Sequence, residues 1–153
     1  MSRTGRVRVG AYALTLDEDA RILLCRVAPS IVSGEVWTLP GGGLEYGESP
    51  DAGVLRELVE ESGYEGEIEG LLDASSRLYA DTEVEGDAMH AVRIVYRVRI
   101  TGGELRDEVD GSTDMCAWFT PGDAARLHLG DLARRVLAVA VADAARGSDA
   151  SGA

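Results

Sequence analysis

Three glutamates, Glu57, Glu60 and Glu61, stand in the run Arg56-Glu57-Leu58-Val59-Glu60-Glu61-Ser62-Gly63, downstream of an expected glycine-rich turn, Gly41 to Gly43. Their i, i+3, i+4 spacing puts the side chains on one face of a helix. Carboxylates gathered this way repel one another, so the arrangement needs a positive occupant. A hard divalent cation that takes oxygen ligands is the simplest one, and Mg²⁺, with Mn²⁺ as a substitute, is expected.

The element that must carry these groups is delimited by its own sequence. Ser49 suits an N-cap, Pro50 suits the first helical position, and Asp51 places a negative charge in the first turn. Gly63 after Ser62 is a C-terminal stop, so the helix is expected from Pro50 to Ser62. At about 100° of rotation per residue, Ala52, Leu55, Leu58, Val59 and Ser62 share one side and the three glutamates the other. One face is expected to pack on a core while the other presents carboxylates.

The wider spacing resembles the Nudix box, G-x5-E-x7-R-E-U-x-E-E-x-G-U, where U is a bulky aliphatic residue. Gly42, Glu48, Arg56, Glu57, Leu58, Glu60, Glu61 and Gly63 match in register, and Tyr64 stands where the last aliphatic residue is usual. The likeness extends over roughly Arg6 to Val141 as a pattern, with Trp37-Thr38-Leu39-Pro40 like the strand entering the box and Trp118-Phe119-Thr120-Pro121 like a late strand and helix start. The resemblance implies an α/β/α sandwich with a mixed central sheet. It also implies metal-dependent hydrolysis of a phosphoanhydride in a nucleoside diphosphate linked to some group X.

By that resemblance Glu57, Glu60 and Glu61 are metal ligands, with the Gly42 carbonyl as a further one. Arg56 is permanently charged and so cannot serve as a base; its expected role is to orient a carboxylate of the cluster, with Glu48 in the same network. Glu57 is the first candidate for the general base. Glu108, in Arg106-Asp107-Glu108-Val109-Asp110, is the second, or an extra metal ligand, or a residue of a solvated acidic loop. Arg26 at a strand end could reach a phosphate or simply face solvent, and Tyr79 could stack on a nucleobase or belong to the core. His90 could be a base but is read as structural, and His128, in a helical surface context, carries no signal.

The substrate is expected to be a small nucleotide, with a MutT-like nucleoside triphosphate or related derivative first. A dinucleoside polyphosphate or a nucleotide sugar is the alternative, and a non-catalytic nucleotide sensor is the reading from another class. Sensor modules often lose box carboxylates, whereas this sequence keeps all of them. The net charge of −12 argues against a nucleic-acid polymer as partner. At 153 residues, 45% apolar and 27% charged, the sequence reads as one soluble globular domain over residues 1–146, with a disordered tail over 147–153.

No apolar run approaches the roughly 20 residues needed to span a bilayer. The N-terminus lacks the apolar core of a secretory signal, so the cytoplasm is the expected location; a homodimer is left open. Cys25 and Cys116, in strand-like apolar contexts, are read as buried free thiols.

Periodicity predicts a hairpin from Val7–Ala13 and Ile22–Val27 about a turn at Asp17–Ala20, and a strand around Gly66–Leu72. A long strand over Ala88–Ile100 is expected to set Val92, Ile94, Tyr96, Val98 and Ile100 on one face and Arg93, Arg97 and Arg99 on the other. A short strand at Met115–Thr120, a helix start at Pro121 and a helix over Asp131–Ala145 complete the reading.

Overall fold

The computed structural model describes residues 5–80 and 88–151. Seven strands and three helices follow in the order β1 (Gly5–Leu14), β2 (Ile22–Val27), β3 (Trp37–Thr38), β4 (Gly41–Gly43), α1 (Pro50–Ser62), β5 (Tyr64–Tyr79), β6 (Ala88–Gly103), β7 (Thr113–Phe119), α2 (Pro121–Ala124) and α3 (Asp131–Ser151). A four-stranded sheet in the order β4-β1-β6-β5 lies beside a three-stranded sheet in the order β3-β2-β7. The first is mixed, because β1 runs parallel to β6 but antiparallel to β4.

Alternation along the strands sends side chains to two separate cores. On one side Ala11, Ala13, Leu23, Val98 and Cys116 pack against Val54 and Leu58 of α1. On the other, Leu14, Ile22, Leu24 and Val95 pack against Leu132, Val136 and Ala140 of α3. The result is the expected α/β/α sandwich.

Several expectations need correction. The β1–β2 hairpin exists only at its turn, where Asp17 N donates to Arg21 O at 3.0 Å and Leu16 bridges Ile22. Beyond it the two strands diverge into different sheets, because each has apolar residues on both faces and gains more by being covered on both. Gly41–Gly43, expected as a turn, is the edge strand β4. A Cβ at Gly41 would lie 2.3 Å from the Ala11 carbonyl oxygen, so only glycine permits this approach.

β5 is also much longer than expected. Its Glu-, Gly- and Ser-rich sequence has little strand propensity, and pairing with β6 imposes the extended form through three register shifts. Arg93, on the strand face opposite the apolar residues, is buried and bonded to Asp131 at the start of α3. That helix continues to Ser151, through the segment expected as a tail from 147; a lone glycine weakens a helix without ending it. Residues 152 and 153 of that segment lie outside the described residues.

Cys25 and Cys116 are not free thiols. They are directly opposed in the β2–β7 pairing and form a disulfide. Their separation of 91 residues in sequence hid this pairing from any local reading.

Leu58 joins α1 to the sheet and is fully buried. Leu58→Ala is expected to lower unfolding free energy by about 2–5 kcal/mol, measured by urea denaturation, with a correspondingly looser α1 in hydrogen exchange. An unchanged midpoint would show that α1 is not anchored there.

Candidate metal and phosphate site

The catalytic-type residues converge because α1 begins and ends as its sequence dictates. Ser49 caps the first turn by accepting from Ala52 N at 3.4 Å, and Gly63 closes the last in the left-handed region at φ 82°. Mid-helix Gly53 has a packing reason: a Cβ there would meet Leu44 Cδ2 at 2.5 Å and Glu48 Oε1 at 2.9 Å. Its absence lets the segment carrying Glu48 lie against the helix.

Arg56 is the hub. Its Nε donates to Glu48 Oε2 at 2.7 Å and its Nη2 to Glu48 Oε1 at 2.9 Å, a bidentate pair of the strong, geometrically specific kind. Its Nη1 donates to Glu57 Oε1 at 3.3 Å and to Glu60 Oε2 at 3.1 Å. One guanidinium therefore holds three box carboxylates, as the expectation of an orienting role required. The bonded Arg56 and the Glu45 amide pull the Glu48 carboxyl down to about 2.

Glu61 differs from the other two ligands proposed for the helix. It is 1% exposed and belongs with Val54, Leu58 and Ser62 on the buried side of α1, while Val59 is 38% exposed. The expected division of the helix into an apolar face and an acidic face is therefore rotated. Position 61 follows Leu58 by three and Val54 by seven residues, which is core-face spacing.

Neither Glu61 carboxylate oxygen has a hydrogen-bond partner among the described residues. Burial, then the neighbouring charges of Glu57 and Glu108, push its pKa well above the usual carboxylate range; the Gly41 amide opposes this weakly, without closing a bond. Leaving a buried carboxylate unpaired is costly, and a cation is what would compensate it.

Gly42 lies against the same carboxylates. It pairs with Ala11 in the β1–β4 ladder, and a Cβ added to it would stand 2.8 Å from Glu57 Oε1. Glu108, distant in sequence, is close enough to act electrostatically on Glu61, and it accepts a hydrogen bond from the buried Thr113 hydroxyl at 3.1 Å. The acidic loop is thus turned inward at Glu108.

The donor set of carboxylates plus a backbone carbonyl suits Mg²⁺ or Mn²⁺. Among the described residues no three such side chains already enclose a metal position, because Glu57 and Glu60 are turned to Arg56. The orphaned Glu61 carboxylate beside Glu57 is the observation that favours a cation.

The two proposed substrate contacts are not brought into this cluster. Arg26 forms a bidentate pair with Asp114 on the neighbouring strand β7, at 2.9 and 2.8 Å. Tyr79 ends β5, which β1 and β6 separate from β4, and its ring lies under the Arg77 guanidinium at 4.3 Å. Trp37 is buried edge-on to Phe119 at 5.0 Å. Tyr64, the one departure from the box, accepts from Trp118 Nε1 at 3.1 Å, so a polar aromatic here has a specific partner. A cavity of about 660 Å³ beside that pair is lined by none of the box carboxylates.

Sequence reading passed over Arg8. It faces Gly43 across the edge of the sheet and shares a concavity with Glu57. The available signal was its alternation with Arg6 on a strand next to the glycine run.

A sheet sandwich bearing a capped helix with one buried and several arginine-held glutamates defines a class of α/β scaffold that gathers oxygen donors at one end of a helix. The chain belongs to the Nudix family: the NUDIX domain model matches residues 6–139. It is similar to a MutT-like protein of Streptomyces ambofaciens, 31% identical over 115 residues, 75% of this chain and 65% of that protein. A putative 8-oxo-dGTP diphosphatase of Bacillus subtilis is 32% identical over 114 residues, 74% of this chain and 66% of that protein. The crystal structure of a MutT NUDIX hydrolase from Burkholderia pseudomallei superposes with a TM-score of 0.70 at 30% identity, covering 86% of this chain and 95% of that one. The chain spans just under two thirds of the length of the two curated relatives.

Glu61 and Glu48 have opposite consequences for pH. The raised Glu61 pKa favours the neutral form in the folded chain, so its contribution is present below the ordinary value of 4.5 and is lost as pH rises through the folded value. The depressed Glu48 pKa contributes stability above 4.5 that is lost as pH falls towards about 2. Metal-free protein is therefore expected to melt at lower temperature as pH rises above 4.5 and Glu61 ionises. Glu61→Gln flattens that limb and removes the stabilisation by Mg²⁺, whereas Glu48→Gln shallows the acid limb, to which Asp17, Asp51, Asp73, Asp114 and Asp131 also contribute. Melting curves with EDTA or Mg²⁺ at several pH values check both; a pH-flat alkaline limb in the parent would refute the role given to Glu61.

Proposed function

We propose that the chain is a Mg²⁺-dependent phosphoanhydride hydrolase acting on a nucleoside diphosphate linked to a group X, with a nucleoside triphosphate or close derivative as the preferred class. The observation that carries this reading is the buried Glu61 carboxylate, without a hydrogen-bond partner among the described residues, beside Glu57 and Glu108. Likeness to a relative described as an 8-oxo-dGTP diphosphatase supports the triphosphate class.

Glu57, Glu60 and Glu61, with the Gly42 carbonyl, would hold the metal, and when bound it would neutralise phosphate charge and make water more acidic. The remaining work falls to the chain. Arg56 keeps Glu57 and Glu60 from collapsing away from one another and is itself aimed by Glu48. Glu57 takes the proton of the attacking water, and Glu108, fixed by Thr113, is the second candidate for that step. Arg26 is engaged with Asp114, so its contact with substrate would require exchanging that partner; Tyr79 is a secondary candidate for the far end of the nucleotide.

The test is hydrolysis of a panel of nucleoside triphosphates, dinucleoside polyphosphates, nucleotide sugars and ADP-ribose with Mg²⁺ or Mn²⁺, with products identified by mass. Glu60→Gln and Glu61→Gln are expected to reduce turnover roughly a hundredfold or more while circular dichroism stays parental. Parental rates in both variants would overturn the site. Glu57→Gln is expected to lower kcat by a much larger factor than Glu108→Gln; the reverse order would move the base to Glu108.

A further inference from the structure

β4 pairs with only three residues of β1, Gly10 to Tyr12, and the chain leaves the sheet after Leu44 N bonds to Val9 O at 2.9 Å. The edge of β1 from Arg6 to Val9 is thereby left as one wall of a cavity of about 510 Å³, with Gly43, Leu44 and Glu57 on the other side. The Arg8 guanidinium lies over the Gly43 backbone: a Cβ on Gly43 would stand 3.1 Å from both Nε and Nη2 of Arg8. Glycine at 43 therefore keeps room for the guanidinium beside the strand.

The Arg8 side chain takes part in no hydrogen bond or ion pair among the described residues, in contrast to those of Arg56, Arg26 and Arg93. It shares its cavity with Glu57 without bonding to it. In a chain of net charge −12, an unpaired guanidinium beside the carboxylate cluster is available to an external anion. Its planar fork suits two oxygens of one phosphate.

We propose that Arg8 is a substrate-binding residue that receives a phosphate of the nucleotide from the side of the cavity opposite Glu57, with Gly43 keeping the approach open. This rests on the reading of the site as one for nucleoside diphosphate derivatives. Arg8 then neutralises one side of the diphosphate, opposite the box carboxylates that would hold the metal. Arg6, two residues along the same strand face, extends the basic wall.

Binding of α,β-methylene-dGTP in the presence of Mg²⁺, followed by calorimetry, tests the proposal without needing turnover. Arg8→Ala is expected to weaken binding about ten- to a hundredfold, the usual cost of a charged hydrogen-bonding partner. Arg8→Lys should recover part of the loss, since it keeps the charge but not the fork. Gly43→Val should weaken binding in the same direction by crowding the guanidinium.

With dGTP as substrate, the Arg8→Ala effect should fall mainly on KM. Melting temperature and the Mg²⁺ concentration for half-activation should stay parental, as should every parameter of the control Arg99→Ala, whose partner is Glu67. Unchanged nucleotide affinity in Arg8→Ala would overturn the proposal, and so would a parental chain that fails to bind the analogue. Parental binding without any hydrolysis would instead count against the proposed reaction and leave the Arg8 result standing.

Discussion

The structure turns on a carboxylate placed where a leucine would otherwise be expected. Glu61 sits on the core side of α1, 1% exposed, with both oxygens lacking a partner among the described residues and with Glu57 and Glu108 close by. An isolated buried charge is costly, and like charges nearby raise that cost further. The protein can hold this group neutral or compensate it with a cation, and these two states differ in charge at the point where α1 meets β4. The remainder of the site is arranged around that choice.

Arg56 compensates the other carboxylates of the cluster. By bonding to Glu48 from both nitrogens and reaching Glu57 and Glu60 with the third, it offsets three negative charges on the exposed side of the helix. It does not reach Glu61. A single arginine thus leaves one carboxylate uncompensated at the inner end of the cluster. The glycines serve the same end by closeness: at Gly42 a side chain would displace Glu57, and at Gly53 it would push away Leu44 and Glu48.

Much of this was legible in the residues themselves. The ends of α1 follow from Ser49, Pro50 and Gly63, and the helix occupies the expected span. The grouping of Arg56 with Glu48 was also legible, because only eight residues separate them and Glu48 stands just ahead of the helix that carries Arg56. What misled was the wheel projection of α1. Val59 looked like core and is 38% exposed, whereas Glu61 looked like surface and is buried. Composition weighs a glutamate as polar, and only the position of the sheet decides which arc of the helix is covered.

The capped helix, its carboxylate spacing, the Nudix box and the α/β class were determined by the sequence alone, since each is a short-range pattern of hydrogen-bonding and periodicity. Other features depended on contacts between distant residues and were decided only by the tertiary structure. β1 and β2 part into separate sheets, and Cys25 meets Cys116 across 91 residues. Arg26 is taken by Asp114, Glu108 turns back towards Glu61, and Arg8 is left facing the open edge beside Gly43. Backbone pairing between remote strands brings these groups together, and no local spacing in the chain encodes that pairing.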